Sequence, residues 1–356
     1  MVKGSPFVCL NATKEAEFLL NQNRRKPLKL DVSYFFVEAN RDAYLHLDKV
    51  LRDEGYKDHI GGVIQLRHAK FQDEVDNIIE SIKKKSPRNG RSIFVLDQYG
   101  YKDVPAALIQ KIFTALPSAE VILTFGVDSF INFASDKNLT QDLLDEIGIS
   151  DAWEGKTIEE IKSSEKEWRY FIQSALYSSL VARCGAEFFT PFFIRNKQGH
   201  GDYWLIHMSQ HYRARDVMTQ VHWDNQNYFI HYGGAGLNMF QMVGYDPDHD
   251  ASVRGQSSLG FEFDDVARKT SISTLMGQIP RLIYANNEGM SFGELFAKTC
   301  NSSPASAVIY QETIHELLAN KIFDVVGING EKRRSAIQIK NTDQIMPAAQ
   351  RPLFGL

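Results

Sequence analysis

Apolar runs alternate with segments of helical periodicity over the first 125 residues. The runs are short and bounded by polar residues, as is typical of buried strands, and they lie at 32–37, 62–66, 92–96 and 119–125. The segments before and between them repeat apolar residues every three or four positions and predict helices at 6–22, 43–54, 72–84 and 104–116. Strands that alternate with helices pair in parallel through crossovers, so the pattern predicts an α/β fold with a mostly parallel sheet.

The alternation stops after residue 125. The segment 128–164 is polar and predicts a helical lid or insert, and a helix is expected at 165–183. Two apolar strands, 187–194 and 203–208, then flank a turn-rich connection, which predicts an antiparallel hairpin at the edge of the sheet. We therefore expect one α/β domain over residues 1–245.

The last third of the chain has a different pattern. Three helices are predicted there, at 264–286, 290–299 and 304–320. Two apolar segments, 323–328 and 335–339, follow on either side of Asn329-Gly330, a dipeptide typical of two-residue hairpins. Three helices followed by a hairpin predict a winged helix-turn-helix domain over residues 260–345.

Composition places few further limits. The 356 residues are 43% hydrophobic and 24% charged, as in ordinary soluble proteins, and the net charge of −4 offers no overall attraction to nucleic acid. No apolar run reaches the length of a membrane span, and no signal peptide is recognisable. Cys9, Cys184 and Cys300 show no pairing pattern. We expect a cytoplasmic protein without a membrane partner.

Five short motifs connect this pattern to a known family. They are, in chain order, Gly4-Ser5-Pro6, Phe36-Val37-Glu38, Leu96-Asp97-Gln98-Tyr99-Gly100, Pro191-Phe192-Phe193-Ile194 and Tyr203-Trp204-Leu205-Ile206. In this order they resemble the three-Cys-motif partner protein family, TcmP, over most of the chain. The resemblance implies a Rossmann-like class I methyltransferase sheet, a winged-helix tail and S-adenosylmethionine as cofactor. It also implies a companion protein with a three-cysteine motif, which we expect to be radical-SAM-like.

Two features depart from the family pattern. Family members carry a strand and an Asp-x-Phe-Ala-Gly-x-Gly cofactor loop before the Gly-Ser-Pro element, and this sequence has neither; the family's Asp-Pro-Tyr-Gly is Asp97-Gln98-Tyr99-Gly100 here. The missing strand would be central, between the strands ending at Glu38 and Leu96. Its loss would leave backbone groups unpaired at about 1 to 3 kcal/mol each. We therefore expect either that the natural N-terminus is absent or that another segment fills the slot, 6–10 being apolar enough.

The resemblance and the strand ends together predict a nucleoside site. Glu38 is expected to accept hydrogen bonds from both ribose hydroxyls, with a merely solvated acid as the alternative. Phe71 is expected to cover the adenine ring, although Arg67, His68 and Lys70 put positive charge where an acid often contacts adenine. Gly4 is expected to contact the cofactor, at the point where the family's loop would end.

The catalytic residues are expected at the end of the next strand. Asp97 is predicted to touch the cofactor and to orient the methyl acceptor for attack on the sulfonium, a reaction that depends mainly on positioning. The alternative for Asp97 is a turn or helix cap. Tyr99 is predicted to stack on a substrate base or to pack the lid.

Other motifs carry weaker hypotheses. Lys332-Arg333-Arg334 fall at the predicted wing tip and would bind nucleic-acid phosphates, whereas the predicted recognition helix is poor in cations, so protein docking is the alternative. No metal site is expected, because the histidines between 200 and 231 lack zinc-ligand spacing. The glycines at 233–236 leave open a permuted cofactor loop.

Three functions remain open from the sequence. The first is an S-adenosylmethionine-dependent methyltransferase that acts on nucleic acid or on a partner-bound substrate. The second is a catalytically inactive methyltransferase-like partner subunit, which Gln98 and the missing loop favour. The third is a nucleic-acid-binding subunit, associated with defence, that contacts DNA or RNA through the winged helix.

Overall fold

The computed structural model describes residues 4–97, 104–126, 163, 183–194, 203–226, 229–231, 234–237, 239, 261–286 and 288–348. The chain divides into two compact units, Met1–Lys84 and Lys85–Leu356. The predicted lid at 128–164 lies almost entirely outside the described residues. The predicted division into domains 1–245 and 260–345 stays a prediction.

The first unit is a helix followed by two strand-helix pairs. Its elements are α1 (Ser5–Asn21), β1 (Tyr34–Glu38), α2 (Arg41–Leu51), β2 (Ile64–His68) and α3 (Phe71–Lys85). The side chain of Asn40 caps α2 by accepting hydrogen bonds from the backbone N–H groups of Asp42 and Ala43. β1 and β2 pair in parallel, as the alternation predicted.

The core of this unit lies between α1 and the two strands. Phe7 and Leu10 of α1 are buried in one cluster with Leu51 at the end of α2 and Ile64 of β2. Both α1 residues lie on one face, three positions apart, as the helical periodicity predicted. The predicted helix at 6–22 is thus confirmed, and it packs as a helix rather than filling a strand position.

The second unit begins with a six-stranded sheet and its helices. The elements are β3 (Ser92–Asp97), α4 (Ala106–Ala115), β4 (Ala119–Gly126), β5 (Phe188–Ile194), β6 (Tyr203–Ser209), α5 (Tyr212–Asp224), β7 (Phe229–His231) and β8 (Phe261–Glu262). The strand order is β3-β4-β6-β5-β7-β8. β3 and β4 are parallel, whereas the four other neighbouring pairs are antiparallel.

Two details of the predicted sheet are corrected. Among the described residues β1 and β2 form a sheet of their own, so the strands do not join into one mostly parallel sheet. The hairpin β5–β6 is antiparallel as predicted, but it is internal, because β6 pairs with β4 and β5 pairs with β7. Its internal position agrees with β5 being apolar on both faces, since Phe188, Phe189, Phe192 and Phe193 are all buried.

The unit ends in a winged helix-turn-helix domain, which confirms that prediction. Its elements are α6 (Asp265–Ala285), β9 (Met290–Ser291), α7 (Phe292–Thr299), α8 (Ala307–Ala319), β10 (Phe323–Val326) and β11 (Gln344–Pro347). The three strands are antiparallel in the order β10-β11-β9. Phe188 and Phe192 of β5 belong to the same buried cluster as the three helices, so the sheet and the winged helix share a core.

The second wing strand is not where the sequence predicted it. The chain does turn at Gly330, whose φ is 83°, and Arg333 donates its N–H to the Val325 carbonyl at 2.7 Å. The segment 335–339 then leaves the ladder, because Ala336 and Ile339 are buried in the protein core instead. The strand that pairs with β10 comes later, at Gln344–Pro347. The wing loop is therefore the whole segment 327–343.

Candidate functional site

The carboxyl ends of β1 and β2 form a common rim that carries two of the predicted site residues. Glu38 pairs in register with His68, and the N–H of Ala69 donates to the Glu38 carbonyl at 3.2 Å. Phe71 is the first residue of α3, three positions after His68, and is half-buried. The structure thus places Glu38 and Phe71 at one edge of the two-stranded sheet.

The carboxylate of Glu38 has one local partner. Its Oε1 accepts the N–H of Asn40 at 2.8 Å, in the turn that begins α2. A carboxylate has about four acceptor positions, so this bond leaves capacity for two hydroxyl donors. His68 has its own contact at the rim, since its Nε2 lies 3.2 Å from the Ala39 carbonyl oxygen. The rim therefore combines an acid that can accept further hydrogen bonds with a nearby imidazole.

The other predicted site residues are Asp97, Tyr99 and Gly4. Asp97 is the exposed last residue of β3, in the second unit, and it pairs in register with Thr124. Tyr99 lies outside the described residues. Gly4 is the N-cap residue of α1 with φ −67°, a conformation that does not require glycine. Within the described residues, Glu38 and Asp97 lie at the ends of strands that belong to different sheets.

Two of the three wing cations are paired within the domain. Lys332 binds Asp324 at 3.0 Å, and Arg333 binds Asp343 at 3.1 Å and Glu331 at 3.4 Å. The hydrogen bond to Asp343 raises the pKa of Arg333 further. Arg334 is exposed and forms no ion pair with another described residue. Of the predicted phosphate-binding residues, Arg334 is the most available.

The recognition helix of the domain is α8, and its accessible surface is acidic. The helix contains no Lys or Arg, and its residues with exposed or partly exposed side chains include Val308, Gln311, Glu312, His315 and Glu316. Residues 303–306, which precede the helix, are buried. The carboxylate of Asp216 accepts the N–H of Ala307 at 2.7 Å, so the first turn of α8 already has an acidic partner.

A group of buried polar side chains on α5 was missed from the sequence. Arg215, Thr219 and His222 are fully buried at positions i, i+4 and i+7 of this helix. Arg215 donates to the carbonyl oxygens of Ser303 at 2.6 Å and Ala305 at 3.2 Å. Burial and then the charge of Arg215 lower the pKa of His222 well below its usual value. Their spacing in the sequence is that of residues on the core-facing side of a helix, and this spacing could have revealed their burial.

Gly236, His207 and His211 have structural contacts, whereas Gly233 and His200 lie outside the described residues. Gly236 lies against the side chain of Gln278 on α6, whose Oε1 accepts the N–H of Leu237 at 2.6 Å. His207 is on β6 and bonds to Glu120 at 2.9 Å, and His211 caps α5. No group of three or more His, Cys, Asp or Glu side chains within the described chain is arranged to hold a metal ion. The permuted-loop hypothesis gains no supporting contact.

An open groove lies on the surface of the winged helix beside α6 and α8. Its volume is about 480 Å³, and it is lined on the α6 side by Lys269, Ile272, Ser273 and Met276, and on the other side by Glu312, His315, Glu316 and the wing residue Ile337. The apolar part of the lining comes from Ile272, Met276 and Ile337. Two glutamates border it on the α8 side.

The fold and these surfaces define an α/β protein that ends in a winged helix-turn-helix domain. A family model described as the GMT-like wHTH domain matches residues 244–326, which include α6, α7, α8 and β10. No curated protein and no solved structure matches the chain. A domain of this class is consistent with nucleic-acid binding. No helix in the described parts of the chain has the length and apolarity needed to cross a membrane.

Proposed function

We propose that this chain is a methyltransferase-like protein of the three-Cys-motif partner type, which binds S-adenosylmethionine and acts on nucleic acid or on a substrate held by a companion protein. The observation that carries the proposal is the strand order β3-β4-β6-β5, in which β6 lies antiparallel to both neighbours. A class I methyltransferase sheet contains the same arrangement, with its last strand inserted antiparallel. The winged helix at the C-terminal end supports the same family.

The first unit supports the proposal independently. β1 and β2 are parallel neighbours connected by α2, as expected for the strands that carry the nucleoside. Glu38 at the end of β1 fits the ribose, because its carboxylate is half-buried and retains acceptor capacity beside the bond to Asn40. Phe71 at the same rim fits one face of the adenine. These residues fit the adenosine part of the cofactor, and no described residue is assigned to its methionine part.

When bound, S-adenosylmethionine would supply a methyl group on a sulfonium. Glu38 would hold the ribose through two charge-assisted hydrogen bonds. Asp97 is proposed to orient the acceptor, which its exposure at the end of β3 allows. Gln98, in place of the family's proline, favours the alternative of a catalytically inactive partner subunit.

Isothermal titration of S-adenosylmethionine into the full chain tests cofactor binding. Glu38→Gln should weaken binding at least tenfold, because the neutral amide loses an ionised acceptor. Asp42→Asn, an exposed acid on α2, is the matched control and should bind like the wild type. Absence of binding to the wild-type chain, or equal binding by Glu38→Gln, would remove the proposal.

A second measurement separates the enzyme from the inactive subunit. Asp97→Asn should abolish methyl transfer to nucleic acid or to the companion's substrate, and it should weaken cofactor binding less than Glu38→Gln does. Wild-type binding without any transfer, together with co-purification of the companion, would identify the inactive partner.

Nucleic-acid binding through the wing is a second candidate function. The winged-helix fold favours it, and so does Arg334, which forms no ion pair with another described residue. The wing would contact phosphates, whose binding weakens steeply as salt rises. Anisotropy of a labelled duplex between about 50 and 200 mM salt measures this dependence. Arg334→Ala should reduce the slope of log affinity against log salt concentration by about 1. Arg281→Ala, which removes an exposed cation on α6, should not change this slope. Binding that does not depend on salt, or the same slope for Arg334→Ala and Arg281→Ala, would exclude the wing as the phosphate-binding surface.

A further inference from the structure

The N-terminal end of α8 is covered by another helix. Ser303, Ala305 and Ser306 are at most 1% exposed. Trp223 of α5 donates its indole N–H to the Pro304 carbonyl at 3.0 Å, beside the bonds from Arg215. Helix-turn-helix proteins contact bases with the N-terminal residues of this helix. In this protein those residues face α5, so the usual insertion into a major groove is blocked.

The accessible face of α8 also has the wrong charge for DNA. Glu312 and Glu316 lie one turn apart on it, and the helix carries no cation. The domain from 261 to 348 contains nine Lys and Arg against ten Asp and Glu, so its net charge is −1. Phosphates would be repelled from this face, whereas cations would be attracted.

The groove beside α6 and α8 is open to solvent and has a mostly apolar lining, as a helix-binding site requires. Its volume of about 480 Å³ lies within the range of ligand sites. Ile272 and Met276 are partly buried and pack against the domain core from α6, and Ile337 closes the groove from the wing with 55% of its surface exposed. Such grooves take the apolar side chains of an amphipathic helix at positions i, i+3 or i+4, and i+7.

We propose that this groove binds a basic amphipathic helix of a partner protein. The charged residues that line the groove indicate how the partner helix is oriented in it. Glu312 already pairs with Arg268 of α6, whereas Glu316 forms no ion pair with another described residue and is exposed to receive a partner's Lys or Arg. Lys269 borders the opposite side, so the partner's cations should lie along α8. The proposal concerns the winged helix alone and does not depend on cofactor binding at the β1–β2 rim.

Three labelled probes test the chemistry on the full chain by fluorescence anisotropy. The first is a Leu/Lys amphipathic peptide of about four helical turns, the second has the same leucines with Glu in place of Lys, and the third is a DNA duplex of similar length. The Leu/Lys peptide should bind at least tenfold more tightly than the Leu/Glu peptide. Equal affinity for the two peptides, or no binding of the Leu/Lys peptide, would overturn the proposal.

Surface variants locate the binding. Ile337→Asp should weaken the Leu/Lys peptide at least tenfold, while Ile328→Asp, a wing residue 76% exposed and outside the groove, should leave it unchanged. Glu316→Lys should weaken it by a similar factor, and Glu288→Lys, an exposed acid elsewhere in the domain, should not. If the groove variant and its control change peptide affinity equally in either pair, the peptide binds outside the groove. If the chain binds the duplex but not the peptide, and Glu316→Lys strengthens duplex binding, this face would bind nucleic acid instead.

Discussion

Arg215 of α5 donates a hydrogen bond from Nη2 to the carbonyl oxygen of Ser303 at 2.6 Å, across 88 residues of sequence. The same guanidinium reaches Ala305 at 3.2 Å, and its side chain is fully buried. The turn between α7 and α8 is thus held by a helix that packs on the six-stranded sheet. Because these bonds lie in a low-dielectric interior, they fix the recognition helix relative to that sheet.

Replacing Arg215 by Met should lower the free energy of unfolding by about 2 to 4 kcal/mol, because two buried carbonyl oxygens lose their donor. Urea unfolding followed by tryptophan fluorescence measures this. Arg213→Met, an exposed arginine on the same helix, should stay within about 0.5 kcal/mol of the wild type. Equal stability of the two variants would show that the buried bonds contribute nothing net.

Gly289 should tolerate alanine much less well than Gly330. Both have positive φ, 74° and 83°, so both variants incur the backbone cost of about 1 to 2 kcal/mol. Only at Gly289 would the added Cβ lie 2.5 Å from the Ile345 carbonyl oxygen, whereas Gly330 has open space. Thermal unfolding should therefore give a clearly lower Tm for Gly289→Ala. Similar Tm values would contradict the close packing of β9 on β11.

His222 should make the protein less stable as pH falls. Burial, the charge of Arg215 and nearby His207 lower its pKa in the folded state, so below about pH 6.5 only the unfolded chain takes up the proton. The contribution of His222 to the free energy of unfolding is therefore fully present above about pH 6.5. Below about pH 6.5 it falls by up to about 1.4 kcal/mol per pH unit. Urea unfolding should show that the free energy of unfolding of His222→Phe does not fall in this way between pH 7 and 5. His46→Gln, at an exposed position, should retain it.

Asp216 should have the opposite pH dependence. Burial raises its pKa above the usual 3.8, against smaller opposing effects of the Ala307 N–H and the Arg215 charge. The folded protein then binds the proton more tightly, so the contribution of Asp216 to stability falls as pH rises from 3.8 through the raised pKa. The stability of the wild type relative to Asp216→Asn should decline over this window. Asp224→Asn, at an exposed end of α5, should show no such trend.

The three thiols should differ in reactivity. Cys184 and Cys300 are fully buried, and burial raises the pKa of Cys184 to about 12 and also raises that of Cys300. Cys9 is partly exposed, although burial raises its pKa as well. Since the thiolate is the reactive form, a disulfide reagent should label about one thiol quickly in the native protein. Cys9→Ser should remove that fast phase, and a persisting fast phase would mean that a buried thiol is accessible.

Much of the secondary structure was predictable from local pattern. The periodicity of Phe7 and Leu10 predicted α1, and the apolar run before Asp97 predicted β3 with an error of one residue. The turn at Asn329-Gly330 was correct, but the strand expected after it was not, because Ala336 and Ile339 pack on the core instead. A single apolar segment fits a strand or a core contact equally well until its neighbours are known.

The candidate site divides in the same way. The position of Glu38 at a strand end followed from the apolar residues before it, whereas its hydrogen bond with Asn40 was found only in the folded chain. The assignment of Glu38 and Asp97 to different sheets did not follow from the sequence, because strand pairing joins residues far apart in the chain. The burial of Arg215 against Ser303 was equally hidden.

Short-range preferences, namely periodicity, capping and turn chemistry, were enough to predict α1 to α4, the two parallel strand pairs and the three helices of the winged helix. They act between residues a few positions apart, so the amino-acid order alone specifies them. The division into two sheets, the place of β11 and the buried contacts of α5 with the α7–α8 turn were decided by tertiary packing. Those features depend on which distant groups satisfy each buried donor, acceptor and apolar face, and only the folded chain makes that choice.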